Sequence, residues 1–108
     1  RPETELLVEK LVNIFKKKRA FILDIGTGTG CILISLISEI LHSRGIGVDI
    51  SKKALQMAEK NSCKFKVKNK IKFCHTSFAH IVNKKFDFHN FSFNPSSFIF
   101  VIGQYWLI

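Results

Sequence analysis

The chain has 108 residues, enough for one small domain, and a formal net charge of +9. Apolar residues make up 46% of the sequence, too large a share for an intrinsically disordered chain. The two longest apolar runs, Cys31 to Leu41 and Phe98 to Ile108, are much shorter than the ~20 residues that span a membrane, so we expect no membrane segment. The excess of positive charge favours anionic partners such as RNA, acidic proteins or an anionic cofactor.

The cysteines and histidines form no disulfide or metal pattern. Cys31, Cys63 and Cys74 contain no C-x-x-C pair, and the four histidines show no zinc-ligand spacing with them. A sparse and odd number of cysteines is typical of a reducing compartment. We therefore expect no bound metal and a cytoplasmic location, and we interpret Cys31 as a small core residue.

The first segment, Arg1 to Arg19, has the spacing of an amphipathic helix. Apolar side chains recur at helical intervals at Leu7, Leu11, Ile14 and Phe15. Glutamates come early in this segment and lysines come late, an order that suits the helix dipole. The next segment, Ala20 to Ile25, is continuously apolar apart from one acid, which predicts a buried strand of a parallel sheet.

Two further helices and strands follow in alternation. Cys31 to Leu41 is apolar nearly all round and predicts a buried helix packed on a sheet. Gly45 to Ile50 predicts a second strand, and Ser51 is a suitable cap for a helix from Lys52 to Asn61. From Lys64 to Phe73 lysine alternates mostly with apolar residues, which predicts a strand with one face in water. That lysine face could bind RNA or an acidic protein, although a solvated strand face is the commoner meaning of such a pattern.

The last part of the chain is rich in phenylalanine. Phe86 to Phe93 predicts a strand, Asn94 to Ser97 a turn, and the apolar tail from Phe98 could form one more strand. The phenylalanines could stack on nucleic-acid bases, but core packing is favoured because a central strand of such a sheet is buried on both faces. Alternating strands and helices predict an α/β fold with a mostly parallel sheet covered by helices.

A glycine-rich loop, Gly26 to Gly30, joins the first predicted strand to the first buried helix. This arrangement is typical of a nucleotide or anion site beyond the carboxyl ends of parallel strands. Asp24 and Asp49 end the two strands, and Asp49 follows the loop at about the 20-residue distance at which a carboxylate binds ribose hydroxyls. No lysine follows the glycines as in a P-loop, and Cys31 occupies the place of the last glycine of a dinucleotide-binding loop.

The G-x-G-x-G spacing, with an acid before it, resembles the S-adenosylmethionine loop of class I methyltransferases. Three segments resemble the release-factor glutamine methyltransferases more specifically: R-P-E-T-E at Arg1–Glu5, ILDIGTGTGCI at Ile22–Ile32, and GVDIS at Gly47–Ser51. That family methylates the side-chain nitrogen of the glutamine in the GGQ motif of peptide-chain release factors. The resemblance implies S-adenosylmethionine as the cofactor and a release factor as the partner, and we expect a monomer.

The resemblance also implies roles for individual residues. The implied cofactor-binding residues are Asp24, Gly26, Thr27, Gly28, Thr29, Gly30, Asp49 and Ile50. In this assignment the carboxylate at position 49 holds the ribose and the isoleucine after it covers the adenine.

The family's catalytic N-P-P-Y motif, at the end of its fourth strand, is matched here by Asn94 and Pro95. The asparagine side-chain oxygen and the proline carbonyl oxygen would orient a planar amide nitrogen for methyl transfer. Ser96 and Ser97 replace the second proline and the tyrosine. Ser77 occupies the position closest to an acid that, in the family, follows the third strand and contacts the adenine.

We expect one partial domain over residues 1–108 with a partial doubly wound, Rossmann-like fold. Residues 1–19 would form its leading helix, 20–61 the cofactor-binding half, and 62–108 divergent substrate-side strands and a tail. Two alternatives to glutamine methylation stay open. One is a nucleic-acid adenine methyltransferase, because N-P-P-Y-type motifs also orient exocyclic amines. The other is a non-catalytic remnant that at most binds S-adenosylmethionine, which the three serine replacements favour.

Overall fold

The chain folds into helices and one parallel sheet, in a computed structural model that describes residues 2–15, 17–77, 79–80 and 98–101. The helices are α1 (Pro2–Phe15), α2 (Cys31–Glu39) and α3 (Lys52–Lys64), with a short 3-10 turn at Lys68–Lys70. The strands are β1 (Arg19–Ile25), β2 (His42–Asp49), β3 (Ile71–His75) and β4 (Phe98–Val101). Their order in the sheet is β3-β2-β1-β4, and every neighbouring pair is parallel, which confirms the predicted α/β, Rossmann-like fold. None of the described helices is long and apolar enough to cross a membrane.

β1 lies between β2 and β4 and is buried from Ala20 to Ile25, as its apolar sequence predicts. Alternate side chains reach opposite faces of the sheet. Ala20 and Ile22 belong to a core cluster with α2, whereas Phe21 and Leu23 belong to a second cluster with residues of β2. Burial on both faces explains why this strand shows no alternation of apolar and polar residues.

One side of α2 packs against the sheet, and the apolar side chains on that side are buried in the first cluster. Its buried side chains are Leu33, Ile34, Leu36 and Ile37. Gly45 of β2 permits close contact with the helix, since a Cβ there would lie 2.8 Å from Leu33 Cδ1. The helix ends at Glu39, two residues before the predicted end, because Ile40 adopts an extended backbone (φ −96, ψ 109) and the chain enters β2 three residues earlier than predicted.

α1 ends at Phe15, so the predicted helix over Arg1 to Arg19 is too long, and the helix has no basic residue in its last turn. The Lys18 N–H donates to the Phe15 carbonyl at 2.9 Å, which turns the chain toward Arg19, the first residue of β1. Phe15 packs against the α2 cluster, as its place on the predicted apolar face requires. Ile14 is 56% exposed, so its predicted place on the apolar face is wrong.

The prediction of a single strand from Lys64 to Phe73 is wrong. α3 continues to Lys64, the chain turns, and only Ile71–His75 pairs with β2. Val67 is only 5% exposed and belongs to the α2 cluster. Burial of this one side chain directs the connection inward between helix and strand, so the local alternation of lysine and apolar residues does not reflect an extended backbone.

The tail forms a strand at Phe98–Val101, which confirms the prediction for those four residues. They pair with β1 in the register Phe21 to Phe98 and Asp24 to Val101. The strand predicted at Phe86 to Phe93 and the turn after it lie outside the described residues.

Candidate functional site

The glycine loop leaves the carboxyl end of β1 and is attached to the end of β2 by its backbone. The N–H groups of Gly26 and Thr27 both donate to the Val48 carbonyl, each at 2.9 Å. The Gly30 N–H donates to the Thr27 carbonyl at 2.9 Å and closes a turn before α2. These bonds hold the loop at the edge of the sheet where an α/β fold binds its ligand.

All three glycines of the loop have a left-handed backbone, with φ of 72 at Gly26, 59 at Gly28 and 80 at Gly30. Other residues rarely adopt this conformation because the Cβ clashes with the following carbonyl oxygen. A Cβ at Gly26 or Gly28 would meet nothing within 4 Å, so the space beside them is open. A Cβ at Gly30 would lie 3.1 Å from Ile34 of α2 and 3.2 Å from Ala58 of α3. The first two glycines therefore leave room for a ligand, and the third permits the two helices to approach.

Asp24 lies beneath the loop and is only 1% exposed. The Thr27 hydroxyl donates to Asp24 Oδ2 at 2.7 Å, and the threonine is itself buried. The first acid thus orders the loop from inside. Thr29 differs, because its side chain is exposed and its carbonyl accepts a hydrogen bond from Asn61 Nδ2 at 3.0 Å.

Asp49 ends β2 and binds the loop directly. Its Oδ2 accepts the Gly28 N–H at 2.8 Å, and its Oδ1 accepts the Ser51 N–H at 2.8 Å. The side chain is half-buried, and each carboxylate oxygen has capacity for a second hydrogen bond. Ser51 caps α3 as predicted, with its Oγ accepting the Ala54 N–H at 3.1 Å.

Two polar residues at the site were not predicted, His75 and Asn61. His75 Nε2 lies 3.0 Å from the Ile50 carbonyl oxygen, and its backbone pairs in register with Asp49. Ile50 itself is 75% exposed at the edge of the site. The predicted third strand ends at Phe73, so the pattern does not place His75 beside β2.

Ser77 lies just beyond β3, where the resemblance expects an acid. Its Oγ accepts the His80 N–H at 3.1 Å, so the side chain begins a local turn. The neighbouring Thr76 N–H donates to the Asp49 carbonyl at 3.1 Å and ties this turn to the end of β2. Within the described part of the chain no three histidine, cysteine or acidic side chains are grouped to hold a metal ion.

A groove of about 560 Å³ lies between α1 and α2. Glu5, Glu9 and Glu39 contribute carboxylates to it, and Cys31 lines it at the start of α2. Cys31 is exposed, so its interpretation as a core residue is wrong. The helix buries the residues that face the sheet, and Cys31 lies on the side that faces this groove instead.

The predicted catalytic pair, Asn94 and Pro95, lies outside the described residues. The strand that pairs with β1 is Phe98–Val101, which follows the pair along the chain.

A family model described as a methyltransferase domain matches residues 16–98. The release factor glutamine methyltransferase of Buchnera aphidicola subsp. Schizaphis graminum is 43% identical over 95 residues, which is 88% of this chain and 34% of that protein. A protein of the same name from Buchnera aphidicola subsp. Baizongia pistaciae is 41% identical over 88 residues, 81% of this chain and 31% of that protein. The chain spans about a third of the length of these curated relatives.

Solved structures of methyltransferases have the same fold. The ribosomal protein L11 methylase of Lactobacillus delbrueckii subsp. bulgaricus superposes with a TM-score of 0.62 at 23% identity, over 77% of this chain and 42% of that chain. An RNA methyltransferase of Salinibacter ruber, in complex with S-adenosyl-L-homocysteine, superposes with a TM-score of 0.57 at 23% identity, over 71% of this chain and 48% of that chain. At these identities the likeness concerns the fold alone.

Proposed function

Because this chain belongs to the methyltransferase domain family, we propose that it binds S-adenosylmethionine at the glycine loop and transfers its methyl group to a glutamine side chain of a peptide-chain release factor. The observation that carries the cofactor half is the hydrogen bond from the Gly28 N–H to Asp49 Oδ2 at 2.8 Å. It holds an acidic side chain at the mouth of a loop that is open beside two of its glycines.

The residues at the loop suit each part of the cofactor. Asp49 can accept two hydrogen bonds from the vicinal hydroxyls of a ribose, because its oxygens keep acceptor capacity. Ile50 offers an exposed apolar side chain against which a flat adenine can pack. Gly30, the N-cap residue of α2, has no side chain that could cap the first turn, which suits a carboxylate near the start of that helix. When bound, S-adenosylmethionine supplies an electrophilic methyl group.

The substrate half of the proposal is supported by the names of the relatives and by Asn94 and Pro95. A glutamine amide nitrogen is a poor nucleophile because its lone pair is delocalised into the carbonyl. The Asn94 side-chain oxygen and the Pro95 carbonyl oxygen would each accept one N–H and direct the nitrogen toward the methyl group. We propose that it acts in the cytoplasm, as a monomer, on the release factor.

One observation favours a second candidate, a chain that binds the cofactor without transferring its methyl group. Asn94 and Pro95 match only the first half of the family's N-P-P-Y motif. Ser96 and Ser97 also replace the proline and aromatic residue of that motif. Cofactor binding and methyl transfer therefore need separate tests.

The first test is a calorimetric titration of the full chain with S-adenosylhomocysteine, the product, which cannot be consumed. We expect one-to-one binding with a Kd near 1 μM, about −8 kcal/mol. Asp49→Ala should abolish this binding, whereas Glu59→Gln, which removes an exposed carboxylate from α3, should preserve it. A folded chain that does not bind the product would contradict the cofactor assignment.

The second test uses the full chain, labelled S-adenosylmethionine and a release factor that contains GGQ. Label on the glutamine, and none on a variant with this glutamine changed to alanine, is the expected result. Product binding without label transfer, both before and after Ser96→Pro and Ser97→Tyr are introduced together, would favour the non-catalytic candidate.

A further inference from the structure

An exposed phenylalanine lies among lysines directly after α3. Phe65 is 57% exposed, and the Lys64 Nζ lies 6.0 Å from the centre of its ring. Lys66 follows it and is also exposed. A single exposed apolar side chain is common on protein surfaces. The unusual feature is an aromatic ring with a cation on either side of it in the sequence, because such a ring can stack while the cations attract an anion.

The backbone holds this turn in a defined shape. Lys66 has a φ of 60, the left-handed conformation that normally selects glycine at the end of a helix. The Lys66 N–H donates to the Cys63 carbonyl at 3.1 Å, and the Val67 N–H donates to the Ser62 carbonyl at 2.9 Å. Val67 is buried in the core. The turn is therefore anchored on both sides while Phe65 and the lysines stay in solvent.

The same connection carries a concentration of positive charge. From Lys60 to Ser77 there are six lysines and no acidic residue. Lys70 is partly buried, and this burial, with Arg44 nearby, lowers the pKa of its ammonium group. Asn69, Lys70, Lys72 and Arg44 also line a small pocket of about 80 Å³. Several cations are thus held close together, an arrangement that attracts anions.

We propose that the basic turn, defined as Lys64 to Asn69, binds single-stranded nucleic acid. Its lysines contact phosphates and the Phe65 ring stacks on a base. Proteins that bind single strands combine these two features, a cationic surface that follows the backbone and an aromatic ring for the bases. An acidic polypeptide would use the lysines alone, so the exposed ring favours nucleic acid. This surface differs from the glycine loop and from the proposed methyl-transfer site.

The basic turn is nevertheless close to the loop. Asn61, whose Nδ2 donates to the Thr29 carbonyl at 3.0 Å, precedes Lys64 by less than one turn of α3. At 1.5 Å per residue the two positions are about 5 Å apart along the helix axis. The basic turn therefore begins within one helical turn of a residue that contacts the glycine loop.

The test is fluorescence anisotropy of a labelled ten-nucleotide oligouridylate titrated with the full chain at several salt concentrations. Phe65→Ala should weaken binding by about tenfold, since it removes one stacked ring. A combined Lys64→Gln, Lys66→Gln and Lys68→Gln variant should reduce the slope of log affinity against log salt by about 2, since each phosphate contact contributes about 0.7. Phe65→Trp should keep the affinity and show quenched tryptophan fluorescence on binding.

The matched control removes three exposed lysines elsewhere, by Lys10→Gln, Lys52→Gln and Lys53→Gln. It has the same net charge as the basic-turn variant and should keep most of the affinity. Equal losses in the two triple variants would overturn the proposal, because they would show attraction by overall charge only. Unchanged binding by Phe65→Ala would overturn it as well, and so would polyglutamate that competes as well as unlabelled oligouridylate.

Folding and the cofactor proposal are checked in the same samples. All substituted side chains are exposed, so we expect each variant to show a cooperative thermal transition like that of the parent. S-adenosylhomocysteine binding should be unchanged in Phe65→Ala. A chain that binds the product but not the oligonucleotide overturns only the nucleic-acid proposal, and the reverse result overturns only the cofactor proposal.

Discussion

The Gly28 amide and the Asp49 carboxylate are joined by a 2.8 Å hydrogen bond across 21 residues of sequence. The bond connects the loop after β1 to the end of β2. The residue proposed to hold the ribose therefore also sets the shape of the loop proposed to hold the rest of the cofactor. Loss of this carboxylate should affect the protein before any ligand is added.

Asp49→Asn should loosen the loop and weaken product binding at least tenfold. The amide NH₂ cannot accept a hydrogen bond, so the N–H of Gly28 or that of Ser51 loses its partner. A hydrogen bond to a charged group is worth about 1.5–3 kcal/mol, which corresponds to the expected loss. Calorimetry measures the affinity, and hydrogen exchange should show faster exchange of the Gly28 amide without ligand. Protection equal to that of the parent would contradict a structural role for the carboxylate.

Gly47→Ala should destabilise the fold by about 1–3 kcal/mol through overpacking. A Cβ at Gly47 would lie 2.9 Å from the Phe73 ring and 3.0 Å from Thr27 Oγ1. Thermal or denaturant unfolding measures the change. The comparison is Gly28→Ala, whose Cβ meets nothing within 4 Å, so that only the backbone conformation opposes it.

For Gly28→Ala we expect a cost of about 1 kcal/mol in stability but a large loss of product affinity, because the methyl group enters the open space of the site. If Gly47→Ala proved as stable as the parent, the contacts around Phe73 would be less rigid than the structure indicates.

Lys66→Gly should raise the stability by a few tenths of a kcal/mol up to about 1 kcal/mol. Glycine adopts the left-handed backbone at this position without the Cβ clash, and that gain exceeds its larger loss of chain entropy. Lys60→Gly is the matched control, since this exposed residue lies inside α3 and its replacement should lower the stability by about 1 kcal/mol. Denaturant midpoints of the two variants should therefore move in opposite directions.

Cys74 should react with iodoacetamide more slowly than Cys31 and Cys63. Burial raises the pKa of the Cys74 thiol, with a smaller opposing effect of Lys72, whereas the other two cysteines are exposed. Since the thiolate is the reactive form, labelling of Cys74 should be slow at pH 8 and increase as the pH rises. Mass spectrometry of digested samples measures each site, and comparable rates at all three would contradict the burial of this side chain.

The same shift has a consequence for stability. The folded chain keeps the Cys74 proton to a higher pH than the unfolded chain, so stability from this group is complete below the unfolded pKa. It decreases as the pH rises through the folded pKa. Cys74→Ser should show a weaker decline in stability above pH 9 than the parent.

The glycine loop and its two acids were predictable because their signals are local. Glycine at alternate positions between an apolar strand and an apolar helix indicates a left-handed backbone at a helix start, and Asp24 and Asp49 lie at the carboxyl ends of their strands. Parallel strands bring their carboxyl ends to one edge, which is enough to predict that these acids meet the loop.

The contributions of His75 and Asn61 could not be predicted in the same way. The contact between His75 and Ile50 depends on the register of β3 against β2, and that of Asn61 depends on how α3 crosses the loop. The alternating lysines between Lys64 and Phe73 were misleading, because the burial of Val67 is a tertiary effect that a two-residue period does not reveal. Ile14 was similarly placed on the buried face by its spacing, although α1 presents it to solvent.

Gly30 lies where three elements converge. A Cβ at this position would lie within 3.5 Å of atoms from α2, α3 and β3. The last residue of the loop is thus also a packing point of the core, so a ligand that holds the loop also restrains both helices and the strand. Ligand binding should then delay unfolding of this whole unit rather than of the loop alone. A shift in melting temperature can therefore serve as a simple binding assay for unlabelled compounds. A ligand present at 100 times its Kd stabilises the folded chain by about 2.7 kcal/mol.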